Sequence, residues 1–103
     1  MANGRIAFDG VLRRILGSDN VYFQPPESVK LSYPCIIYER TDADSYFADN
    51  APYHVTTAYE VTVIDRNPDS EIPGRVALLP MCRAARHFTV NNLNHDVFII
   101  YFY

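Results

Sequence analysis

The stretch from Tyr59 to Leu79 constrains the fold more than any other part of the chain, because a strand pattern runs directly into a helix pattern. Residues 59–65 point alternately to two faces, and their β-branched content suits a pleated, partly buried surface. Pro68 ends this strand, since proline cannot donate a hydrogen bond to a neighbouring strand. A strand that feeds a helix predicts a sheet with helices packed on one face.

Residues 70–79 predict the short helix that follows. Ser70 can accept a hydrogen bond at the start of the helix, and Pro80 is expected to end it at the preceding residue. The apolar side of this helix is expected to consist of Val76, Leu78 and Leu79.

A first helix is predicted over residues 5–17, with Gly17 as its natural end. Phe8, Leu12, Ile15 and Leu16 recur at the spacing of one apolar stripe. Asp9, Arg13 and Arg14 fall off that stripe and are expected to be solvated.

Four further strands are predicted from alternation and from turn residues. They are a short strand at 20–24, a strand at 35–40, a strand at 86–90 and an apolar final strand at 97–103, with a turn at 91–96. The second strand and the long strand ending at Asp65 are expected to pair antiparallel. The apolar run at the end predicts a strand covered on both faces, by helices on one side and by another subunit or sheet on the other. The prediction is an α+β fold of order α-β-β-β-α-β-β, with a mainly antiparallel sheet and two helices on one face.

Length and composition predict one domain over residues 1–103, since 49% of the chain is hydrophobic. The net charge of -3 gives no reason to expect a basic, nucleic-acid-binding surface. No apolar run approaches the roughly 20 residues of a membrane helix, and no signal peptide is evident, so we expect a cytosolic protein where it is made. Cys35 and Cys82 are expected to be free and buried.

The residues that could carry chemistry are His54, His87, His95 and the two cysteines, and none has the spacing of a metal or catalytic motif. The four glycines do not form a phosphate-binding loop. We therefore expect no catalytic residue, no metal and no cofactor. A metal-dependent hydrolase using His87, His95 and Cys82 remains as an alternative.

A single-stranded nucleic-acid binder is another alternative, in which Tyr38, Tyr59 and Tyr101 would form a stacking platform on the sheet. The loop at 41–53 has the composition of an exposed connection but contains aromatic residues, which favours a binding element over an idle loop. Eight tyrosines without a tryptophan also suit a protein interface, since tyrosine gives a large contact area at little entropic cost.

Several strings resemble the tail terminator or tail completion family of long-tailed phages and prophages, and the similarity runs from about Leu12 to Phe102. The strings are 20–26 (NVYFQPP), 31–36 (LSYPCI), 61–65 (VTVID), 67–73 (NPDSEIP), 86–88 (RHF) and 93–96 (LNHD). The resemblance implies a helix, an antiparallel sheet and a second helix. It also implies a non-enzymatic virion protein of the head–tail junction, present in the host cytoplasm during assembly.

Proteins of that family form hexameric rings that cap the tail tube, stop its growth and face the head connector. The resemblance therefore implies three partners, namely further copies of the chain, the tail tube protein and a head connector protein, with DNA only as passing cargo. We expect Tyr46, Phe47 and Tyr53 to reach an adjacent ring or the tube, and Tyr101 and Tyr103 to pack between subunits. A head-closure or connector adaptor is the alternative within phage assembly.

Overall fold

The computed structural model describes the backbone of residues 4–41 and 57–102, and the side chains of these residues except those of 57 and 102. Within these residues the chain has the predicted α+β fold and the predicted order of elements. The elements are α1 (Arg5–Leu16), β1 (Val21–Phe23), β2 (Cys35–Thr41), β3 (Thr57–Asp65), α2 (Ile72–Ala77), β4 (Cys82–Val90) and β5 (Leu93–Phe102).

The five strands form one mixed sheet in the order β1-β2-β3-β5-β4. β1 runs parallel to β2, whereas β2 with β3, β3 with β5, and β5 with β4 are antiparallel. The antiparallel pairing of β2 with β3 is confirmed. Because β5 lies between β3 and β4, the two outer strands of the sheet are β1 and β4.

Helix α1 forms where the apolar stripe predicted it. Phe8, Leu12 and Leu16 are buried, and Ile15 is partly buried against the same core. Gly17 ends the helix with φ of 81°, a left-handed conformation that glycine adopts without steric cost. In this conformation its N–H donates to the carbonyl of Arg13 at 2.8 Å, which satisfies one of the last helical acceptors.

Helix α2 is shorter than predicted, and part of its expected apolar side is wrong. Val76 is fully buried, but Leu78 is 85% exposed. Residues two apart in a helix point in different directions, so Val76 and Leu78 cannot share a buried face. Leu79 lies beyond the helix in a tight turn, where its N–H donates to the carbonyl of Val76 at 3.0 Å and its side chain packs against the core.

The last two strands begin earlier than predicted, and β5 does so because the turn between them has only two residues. Asn91 and Asn92 have φ of 54° and 63°, so both adopt the left-handed conformation of a tight hairpin turn. Val90 therefore pairs with Leu93, and the predicted turn at 91–96 is wrong beyond its first two residues. Asparagine tolerates this conformation better than most residues do.

The core lies between the two helices and one face of the sheet. Tyr59, Val61 and Val63 of β3 point into it, and the register places them opposite Ile100, Phe98 and Asp96 of β5. On the other face of β5, Val97 is buried, while Ile99 and Tyr101 are half-buried. The helices thus cover one face of the sheet, as predicted. Neither described helix is long and apolar enough to cross a membrane.

Candidate interaction surface

Of the residues predicted to make protein contacts, only Tyr101 falls among those the structure describes. It lies on β5, half-buried, on the face of the sheet away from the helices. Its backbone N–H donates to the carbonyl of Met81 at 3.2 Å, next to the start of β4. Tyr46, Phe47, Tyr53 and Tyr103 lie outside the described residues.

The stacking platform expected for a nucleic-acid binder is wrong. Tyr38 is fully buried and Tyr59 nearly so, because both side chains point into the helix-covered core. Phe8 of α1 stacks on Tyr59 with ring centroids 4.6 Å apart and meets Tyr38 edge-on at 5.6 Å. Tyr101 lies on the opposite face of the sheet, so the three rings cannot present one surface.

Asp9 and Arg13, expected to be solvated, belong to a hydrogen-bonded network at the edge of this core. The Tyr38 hydroxyl donates to Asp9 Oδ2 at 2.6 Å and accepts from Arg5 at 3.3 Å. Arg13 Nε donates to the other carboxylate oxygen of Asp9, and its guanidinium also reaches Asp19 at 3.3 Å. The prediction of solvation is therefore wrong for Asp9, whose side chain is only 16% exposed, and right for Arg14. Asp9 follows Phe8 directly in sequence and therefore borders the apolar stripe of α1. From this position its carboxylate reaches the hydroxyl of Tyr38 on β2.

This network changes the acid–base properties of its members. Burial acts to raise the pKa of Asp9, but hydrogen bonds from Tyr38 and Arg13 outweigh it, and the net pKa lies below its ordinary value. Burial, followed by the hydrogen bond to Asp9, raises the pKa of Tyr38 to about 12. The carboxylate and the neutral phenol are thus the stable forms near neutral pH, and they hold α1 against β2.

Strand β4 is the most exposed strand among those described. Cys82 is half-buried, and all eight residues after it are exposed. Among the described strands, β4 pairs with β5 along one side and is an outer strand of the sheet, so no described strand pairs with the backbone N–H and C=O groups of its other side. Its register is irregular between Ala84 and Arg86, which places Arg86 opposite Val97. Such an irregularity increases the local twist of an edge strand.

The side chains of β4 are basic and partly aromatic. Arg83, Arg86 and His87 occur within nine residues that contain no acidic residue. Arg86 lies 3.9 Å from Glu60 and, on its other side, 5.8 Å from the ring of Phe88. Phe88 in turn stacks on His95 of β5 at 4.6 Å. The open face and the outer side of β4 together form a basic, partly apolar surface, which we call the β4 edge.

The histidines of the hydrolase alternative do not come together. His87 pairs with Asp96, with Nδ1 and Oδ1 2.7 Å apart, on the helix side of the sheet. His95 lies next to Asp96 in sequence and therefore on the opposite face, as the alternation of a strand requires. His54 lies outside the described residues. In the part of the chain that the structure describes, no three histidine, cysteine, aspartate or glutamate side chains are grouped as metal ligands.

Both cysteines are free, as predicted, but only Cys35 is buried. Burial, with a smaller contribution from Asp65, raises the pKa of Cys35 to about 12. Burial also raises the pKa of Cys82, which is half-buried on β4. A thiol with a raised pKa is a weak nucleophile near neutral pH, so neither cysteine has the environment of an activated thiolate.

Sequence reasoning missed the β4 edge and the His87–Asp96 pair. The basic composition of residues 82–90 was readable, but that segment lacks a clean alternation before Arg86, so its first half was not predicted as strand. The Asn91-Asn92 pair was the signal for a two-residue turn. Such a turn pairs Val90 with Leu93, and counting back along both strands from that pair sets His87 opposite Asp96.

Comparison with known proteins adds nothing to this geometry. No protein-family model, no curated protein and no solved structure matches the chain.

Proposed function

We propose that this chain is a structural subunit of a tailed phage or prophage, which caps the end of the tail tube as part of a homo-oligomeric ring. It acts through protein–protein contacts at the junction of tail and head. The observation that carries the proposal is the β4 edge, a nine-residue outer strand whose residues are exposed from Arg83 onward. The resemblance of the strings at 20–26 and 67–73 to tail completion proteins supplies the biological setting.

An exposed edge strand of this length is a template on which another chain can pair. Proteins limit unspecific pairing at such edges with charged side chains and irregular register, and β4 has both, at Arg83, Arg86 and the Ala84/Arg86 irregularity. These features leave the edge available to a partner of matching shape and opposite charge. A subunit of a larger assembly needs such a surface.

The net charge of the chain is compatible with a subunit of a ring through which DNA passes. The net charge of -3 gives the phosphate backbone no general attraction to the protein surface. A ring that lines the path of a genome must let DNA slide, so weak attraction favours this role.

Adding the purified chain to tail tubes of the same phage tests the proposal directly. We expect electron microscopy to show ring-shaped density at one end of each tube, and we expect tubes to stop elongating in the presence of fresh tube protein. Tubes that keep growing at both ends, with no added density, would contradict the proposal. An unrelated acidic protein of similar size is the control.

A head-closure adaptor would use the same kind of surface toward a different partner. Pull-down experiments with the tail tube protein and with the head connector protein separate the two roles. Capture of the tube protein supports tail completion, whereas capture of the connector protein alone supports the adaptor.

A further inference from the structure

We draw no further inference here: the strongest candidate, the outer side of strand β4, carries none, because Arg86 and His87 are already paired with Glu60 and Asp96 and nothing in the structure shows what covers it.

Discussion

The Tyr38 hydroxyl joins helix α1 to strand β2 at the margin of the core, through its hydrogen bonds to Asp9 and Arg5. Tyr38→Phe keeps the buried ring but removes a donor to a charged carboxylate. We expect the free energy of unfolding to fall by about 1.5–3 kcal/mol, the usual worth of such a bond. Tyr22→Phe is the matched control, because the Tyr22 hydroxyl accepts an exposed hydrogen bond from Ser32 at 3.4 Å, and it should cost less than about 0.5 kcal/mol. Equal losses in urea unfolding would contradict the role assigned to Tyr38.

Asp9 makes the stability of the fold depend on pH. Burial raises its pKa, but hydrogen bonds from Tyr38 and Arg13 more than offset this, so the folded-state pKa lies below the ordinary value of 3.8. A lowered folded-state pKa stabilises the fold above the unfolded-state pKa, and this stabilisation is lost as the pH falls through the folded-state pKa. Asp9→Asn should therefore destabilise the protein at neutral pH, and the difference from the original chain should shrink below about pH 4. A difference that stays constant from pH 7 to pH 2 would contradict this assignment.

Contacts between individual side chains are the part of the structure that the sequence predicted least well. The stripe of Phe8, Leu12 and Leu16 was readable because it repeats locally along one helix. The partner of Asp9 was not readable, because Tyr38 lies 29 residues away and reaches Asp9 only after the helix packs on the sheet. The burial of Tyr59 was not readable either. The alternation of residues 59–65 separates the two faces of the strand but does not show which face the helices cover.

Among the elements, the β4–β5 hairpin offers the clearest test of local structure. Asn92 has φ of 63°, a conformation that glycine adopts without the steric cost that a side chain brings. Asn92→Gly produces the Asn-Gly pair most favoured in two-residue hairpin turns. We expect it to stabilise the fold by up to about 1 kcal/mol, and Asn92→Val to destabilise it by about 1–2 kcal/mol. Thermal unfolding measures both, and a gain from valine would rule out the tight turn.

Element boundaries followed local chemistry only where that chemistry was unambiguous. Gly17 ended α1 as expected, because a left-handed glycine acts on its own backbone, whereas β3 already ends at Asp65, three residues before Pro68. β4 began four residues earlier than expected because Cys82, Arg83 and Ala84 pair through their backbone with β5, whatever their side chains favour. Tertiary pairing, rather than propensity, sets that boundary.

The strand order is the property of the whole molecule that decides where a partner can bind. The apolar periodicity and the turn residues predicted the fold class and the order of the elements along the chain, since strands and helices differ in periodicity. The insertion of β5 between β3 and β4 is a long-range pairing and leaves no local mark. Without that order, the basic composition of residues 82–90 does not identify this segment as an outer strand.

The same order predicts how stability is distributed across the fold. β3 and β5 each have a strand on both sides, whereas β4 is held by β5 alone within the described sheet and is exposed from Arg83 onward. Regions with few buried apolar contacts open locally at a lower free energy than the core does. In dilute solution, amides of β4 should therefore exchange with D₂O faster than those of β3, whose exchange should require global unfolding. Mass spectrometry of proteolytic peptides separates the two strands. Equal protection in β3 and β4 would mean that the outer strand is already covered in the isolated chain, and the β4 edge could then no longer be the surface that awaits a partner.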